Sequence, residues 1–399
     1  MKKVYLSAIC LIVTGLFFWN CSDSSSPNNP SPDDEVLSWI KTYGGSKNDY
    51  GKAVLQTDDD GFLIAGRTGS FENPVKMYVV KTNKSGEEAW YKTFTSGSSY
   101  SSEANSICKT SDGYVIAGST TYGTSDIYIV KISSEGNAIW SKTYGGMQNY
   151  GSESVQPTKD NGFIVAGYTD VNGLYDIYLL KIDDSGNEIW SKTLGRSNYN
   201  EFSFCIKQTE DNGYILVGSS ELEESNKGDA LLMKTDPNGN ELWSKVFSYP
   251  FSSSAYSIEI TSDGGYAITG FLNDGAKSDV YLLRTDSSGN ELWHRTFSFV
   301  NWISGYSVYV TNDNGFVIAC GSQYGSSNDN TACILKTDSL GNEQWSKIYG
   351  AEVDFEHFFS VQQTIDNGFA LIGSIYKNEI GNYDIYFVKT DSEGNVNVK

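Results

Sequence analysis

Histidine occurs twice in this chain, and none of its six cysteines form a Cys-x-x-Cys pair. Without those donors there is little from which to build a zinc site. Gly-x-Ser-x-Gly, His-Glu-x-x-His and a lysine-tipped glycine loop are missing too, and with them the common signatures of hydrolases, metalloproteases and phosphate binders. Cations are scarce: 29 Lys and Arg stand against 49 Asp and Glu, a net charge of −20. Nucleic acid is held largely by phosphate neutralisation and anionic membrane surfaces by polybasic segments, so this balance argues against both as partners. Proline, at seven residues, is thin as well. Gly (40), Tyr (27), Phe (19) and Trp (9) are abundant, and that composition reads as all-β.

Only one long apolar run exists, residues 4–19, preceded by Lys2 and Lys3. Cys21 follows and heads a polar tract rich in Ser, Pro, Asn and Asp. That order resembles a bacterial lipoprotein signal: residues 1–20 as signal peptide, Cys21 as the lipidated residue, and 21–35 as a disordered tether. Phe18, Trp19 and Asn20 depart from the small residues usual before such a cysteine. The alternative is an uncleaved anchor, although sixteen apolar residues are short for a span. Either reading puts the remainder outside the cytoplasm, at the cell envelope, with the outer membrane or cell surface expected for a lipoprotein. Cys320 and Cys333 stand where two neighbouring strands of one repeat would pair. A disulfide in an exported protein and a pair of buried thiols both fit.

Tryptophan recurs at 39, 90, 140, 190, 243, 293 and 345, spaced by 50 to 53 residues. Two positions later stands a cation each time, from Lys41 to Lys347. Aromatic runs opening at Phe62, Tyr114, Phe163, Tyr214, Tyr266, Phe316 and Phe369 repeat with the same period, as do strands ending at Lys81, Lys131, Lys181, Lys234, Arg284, Lys336 and Lys389. Three landmarks therefore agree on seven copies. The third copy reads as strands at 153–158, 163–167, 176–182 and 188–194, joined by compact turns such as Lys-Asp-Asn-Gly and Asp-Asp-Ser-Gly-Asn. Seven such units predict an all-β, seven-bladed β-propeller of four-stranded antiparallel blades over residues 36–399. A superhelical stack is the other arrangement of such repeats. The propeller is favoured because the last repeat ends where its Trp-bearing strand should begin, while a lone strand around Trp39 stands ready to complete that blade.

What repeats sevenfold is expected to be structural. The Trp should pack between blades, its area doing most for burial there. The turn aspartates (Asp59, Asp160, Asp211, Asp263, Asp313 and Asp366, with Asp112 in a shorter version) should latch onto the strand-three cations. Calcium is the competing reading of those turns, but it wants six or more oxygens and each turn offers one or two carboxylates.

What varies should carry specificity. The connections between second and third strands, and from blade to blade, vary and open on one end. Their aromatic residues are the candidate binding set: Tyr50, Tyr100, Tyr150, Tyr199, Tyr249, Trp302 and Phe355, joined by His357. Rings set among Asn, Ser and Asp suit a sugar or a protein partner; they would equally serve to plug the channel rim. Asp354, Glu356 and His357 form the most reactive-looking cluster, and paired carboxylates could cleave glycosides, whereas an acidic loop in an acidic protein is ordinarily solvated surface.

The units Trp140–Gly146, Ser154–Gly167 and Asp176–Trp190 resemble a repeat of exported bacterial and archaeal β-propeller proteins, often lipoproteins, most without an assigned activity. Asp286, Gly289, Asn290 and Trp293 are also similar to the tryptophan-docking repeat of quinoprotein dehydrogenases. Those enzymes have eight blades, a quinone and calcium; seven repeats and no vicinal cysteine pair here carry the resemblance to fold alone. A looser similarity links the aspartate turns to the Asp-box of sialidase propellers, without that family's arginine cluster. The expectation is a monomeric, lipid-anchored, non-catalytic propeller binding a protein or glycan, with no metal and no cofactor. Carbohydrate hydrolysis or elimination and a purely structural role are the alternatives.

Overall fold

The computed structural model of the chain describes residues 37–71, 73–225, 227–299, 302–322, 332–349, 355–377, 379 and 381–397, the side chains of 355 and 356 excepted. The chain divides into units 1–35 and 36–399. The expected signal, Cys21 and the tether lie outside the described residues.

The described residues are all-β, with 28 strands. Blade 3 shows the unit: Tyr150–Pro157, Phe163–Val171, Leu174–Ile182 and Glu188–Leu194, paired in that order and antiparallel throughout. Its first two strand pairs run farther toward the variable end than the sequence pattern indicated. Blades 1 to 6 occupy 49–94, 101–144, 150–194, 199–247, 253–297 and 303–349. The seventh blade is a composite. Strands Phe355–Gln363, Phe369–Lys377 and Asn382–Thr390 receive Trp39–Tyr43 as their fourth member, in the register Trp39↔Lys389 to Tyr43↔Ile385. The N-terminal strand thus closes the ring, as expected.

Local chemistry explains each blade. In the first turn the left-handed position is Asp60, Asn161, Asn212, Asn314, Asn367 or Gly264, types that tolerate positive φ. The turn aspartate caps its own loop, as where Asp160 Oδ1 accepts from the Thr158 hydroxyl and the Gly162 amide. It also pairs with the strand-three cation in every blade, at N–O separations of 2.5 to 3.0 Å. The cations are buried, Lys131 at 2% exposure and Lys181 at 3%, and most also donate to the next carbonyl. These are the latches the sequence predicted. Among the described residues no group of three or more potential ligands that could hold a metal is present.

The apolar clusters straddle blade boundaries, as where Leu63, Ala65, Met77 and Val79 of blade 1 meet Tyr114, Ile116 and Tyr128 of blade 2. The tryptophans seal the outer edge of each boundary. Each of the seven repeat Trp rings lies against the turn glycine of the following blade: Trp39 on Gly86, Trp90 on Gly136, and so on to Trp345 on Gly394. Those glycines have φ of 73° to 80°, and an added Cβ would lie 2.6 to 3.1 Å from the indole. Glycine is required twice over, by the turn and by the ring. The neighbouring cation reaches the same turn, as in Lys41 to Glu87 at 2.6 Å and Lys142 to Asn187 at 2.9 Å. Cys320 and Cys333, opposite one another on adjacent strands, are disulfide-bonded.

Candidate functional site

Seven first strands line the central channel, and the fourth strands of blades 1 to 6, exposed or half-buried over nearly their whole length, face outward. Second-to-third connections and blade-to-blade loops therefore share one end, the variable end of the sequence analysis.

Of the candidate binding residues, the seven whose side chains are described line no common cavity there. Tyr50 stacks on Tyr383 at 5.1 Å, with Arg67 over its ring at 4.5 Å. Tyr100 packs on Tyr122 at 4.9 Å, Tyr150 on Tyr178 at 5.0 Å and Tyr199 under Arg196 at 4.2 Å. Tyr249 meets His294 edge-on at 5.5 Å, and burial first, then Glu291, lifts its phenol to about 12. Trp302 is half-buried with φ of 61°. The Phe355 side chain is outside the described residues, as are Asp354 and the Glu356 side chain. His357 is 7% exposed on the first strand of blade 7, its ring 4.4 Å from Phe359. Burial and the positive field of Lys52 hold it down to about 3, so it is neutral at physiological pH.

A concave site lies elsewhere on the same end, across blades 3, 4 and 5. It is a pocket of about 580 Å³ walled by Tyr168, Tyr175, Phe202, Phe204, Tyr256 and Phe271. Ser219, Glu221 and Ser252 to Ser254 supply its polar groups. Strands position every ring, Phe204 and Tyr256 from the middle of the first strands of blades 4 and 5. Tyr168 and Tyr175 face each other across the second-to-third connection of blade 3 at 5.5 Å, and Phe202 sits 5.0 Å from Tyr175. Burial raises the phenols of Tyr168 and Tyr256 to about 12, keeping both neutral donors. Among the described residues, Glu221 is the carboxylate that lines the pocket. A volume of this order walled largely by aromatic side chains is characteristic of small-molecule sites.

Sequence reasoning passed over these rings because it sought specificity in the loops, whereas they stand on the strands themselves. One signal was present: FSF at 202–204 and SAY at 254–256 put aromatic residues where other repeats carry Lys52 or Asn105.

No family model matches this chain, and no curated protein matches it either. Solved structures do. The WD40 domain of Pan2 from Neurospora crassa aligns with a TM-score of 0.52 and 13% identity, over 87% of this chain and 97% of that one. Sqt1 from Chaetomium thermophilum aligns at 0.50 with 12% identity, covering 86% and 85%. At such identities the likeness shows the β-propeller fold and nothing of shared chemistry.

Proposed function

We propose that this protein is a non-catalytic binding propeller of the bacterial cell envelope, anchored through Cys21, that takes up a glycan in the aromatic pocket over blades 3 to 5. One observation carries the reading: six aromatic rings and a row of serines converge on a single concave site at the variable end. Sugar rings present C–H faces that stack on aromatic side chains and hydroxyl edges that bond to Ser and Glu. Glycoside hydrolysis uses two carboxylates flanking the bond, and the described residues of this pocket supply one, Glu221, which favours binding over cleavage. The disulfide at Cys320 and Cys333 fits an oxidising compartment, and the sequence before Cys21 fits export to it.

A protein partner is the second reading. Met147 is 98% exposed and Tyr122 63%, both at the variable end of blades 2 and 3, away from the pocket. Exposed apolar residues of that kind suit a protein contact.

Array binding with the purified protein and its Tyr175→Ala variant tests the glycan reading. A bound glycan lost in the variant is expected; binding that is unchanged in the variant, or absent in both, would remove it. Anchoring is tested by Cys21→Ser, which should release the protein from membranes and abolish fatty-acid labelling. Continued membrane partitioning of that variant would show an uncleaved anchor instead.

A further inference from the structure

Each of the seven first strands carries a β-bulge at the same repeat position. The register shifts fall at 51/53, 104/106, 152/154, 203/205, 255/257, 305/307 and 358/360. A bulge adds one residue and re-aims it. The added residues are Lys52, Asn105, Glu153, Phe204, Tyr256, Tyr306 and Phe359, and all seven line one cavity of about 400 Å³, the central channel. Its chemistry is divided. Blades 1 to 3 contribute an ammonium, an amide and a carboxylate in adjacent positions, and blades 4 to 7 contribute four rings.

Those rings form an unbroken arc: Phe204 to Tyr256 at 5.2 Å, Tyr256 to Tyr306 at 5.4 Å, Tyr306 to Phe359 at 5.3 Å. The arc also runs upward, because Phe204 stacks on Phe202 at 6.2 Å, and Phe204 and Tyr256 belong to the walls of both cavities. On the polar side, Lys52 rests its ammonium 3.6 Å from the Phe359 ring. No ion pair joins it to Glu153 among the described residues, although Lys207 and Glu259, farther along the channel, do pair at 2.7 Å. Burial lifts Glu153 to about 7, Lys52 opposing and Glu103 adding to the shift.

Side chains that merely plugged the channel would fill it and pair their charges. Here space remains between an apolar wall and a wall of mixed donors and acceptors. The body that matches both at once is a pyranose: a C–H face for Tyr256 and Tyr306, and hydroxyls for Lys52, Asn105 and Glu153. Since seven strands encircle the cavity, a chain can enter only by its end. We infer that the bulge ring of the central channel is the terminal subsite of the glycan site, receiving the end residue of a chain whose next residues lie in the pocket over blades 3 to 5. This rests on the glycan reading above.

The test uses linear oligosaccharides, each immobilised once through the reducing and once through the non-reducing end, with the full-length protein in detergent. Wild type should bind one orientation at least tenfold more tightly. Glu153→Gln and Tyr306→Ala should each weaken it by about tenfold or more, while Tyr306→Phe, which keeps the ring, should bind like wild type. Glu153→Gln guards against the case where loss of the Tyr306 ring disturbs folding. Equal binding of both orientations, with Glu153→Gln and Tyr306→Ala unchanged and Tyr175→Ala weakened, would overturn the terminal subsite and leave the pocket reading standing. No binding by wild type would overturn both.

Discussion

Two positions of the same fifty-residue repeat can be compared directly. On the fourth strand stands tryptophan, seven times out of seven. On the first strand, at the bulge, stand lysine, asparagine, glutamate, phenylalanine, tyrosine, tyrosine and phenylalanine. The tryptophan faces the same object in every copy, the turn glycine of the next blade, so one shape serves all seven boundaries. The bulge residue faces the lumen, where its surroundings differ from copy to copy: ring against ring in blades 4 to 7, Lys52 over Phe359, and Asn105 donating to the Ser152 carbonyl. Its flanks are mostly small and fixed: Ser106, Ser154, Ser257 and Ser307 each accept a backbone N–H from the next blade's first strand. Uniformity marks an interface between blades; variety framed by uniformity marks a surface that meets something else.

The largest test of that contrast is stability. Trp243→Ala empties the space over Gly289 and should cost on the order of 3 kcal/mol in urea denaturation. Tyr306→Ala removes a ring that borders open channel and should cost about 1 kcal/mol, the worth of an aromatic pair. If the two losses come out equal, the bulge ring is a structural plug and the contrast fails.

The latches sharpen it next. Asp160→Ala leaves the Lys181 ammonium, buried at 3% exposure, with one carbonyl acceptor, Ile182. That should destabilise by roughly 2 kcal/mol. Lys181→Met leaves only an exposed carboxylate and should cost less than about 1 kcal/mol. Lys52→Met, at the bulge position, should leave the melting temperature almost unchanged, since Lys52 serves no latch.

Much of this was legible beforehand. The period of fifty, the latches and the closing strand follow from residues that recur, and recurrence survives without knowledge of register. The channel ring was not legible, for a physical reason. Inward and outward residues alternate only while the register holds, and the bulge breaks it, so neither Lys52 nor Ala53 can be assigned a side by period. Tyr150 failed in the opposite sense: it reads as a loop residue, yet the strand already begins there and the ring packs on Tyr178.

Titration separates the two lumen groups by sign. Glu153 has a folded value near 7, above that of the unfolded chain, so the stability linked to its proton is present at low pH and is lost as pH rises from about 4.5 to 7. His357 has a folded value near 3, below the unfolded one, so its contribution is lost as pH falls from about 6.5 towards 3. Taken by themselves, the two contributions balance at about pH 5.5. Glu153→Gln should flatten the alkaline side only, as read by melting temperature against pH. A flattened acid side instead would mean that Glu153 is ionised throughout and that its environment is more polar than the channel geometry implies.

The smallest expected effect concerns the outer rim. Tyr100 and Trp302 stand at the variable end but line neither cavity, and the Tyr100 ring already packs on Tyr122. Tyr100→Ala and Trp302→Ala should therefore change glycan affinity by less than about threefold, against tenfold or more for Tyr175→Ala. A protein partner would reverse the order. It would press on the exposed rim around Tyr122 and Met147, where flat contact matters more than concavity, and Met147→Asp would then outweigh any change inside the pocket. The ranking of these variants, rather than the size of any one effect, decides whether the end of the propeller acts through its cavity or through its rim.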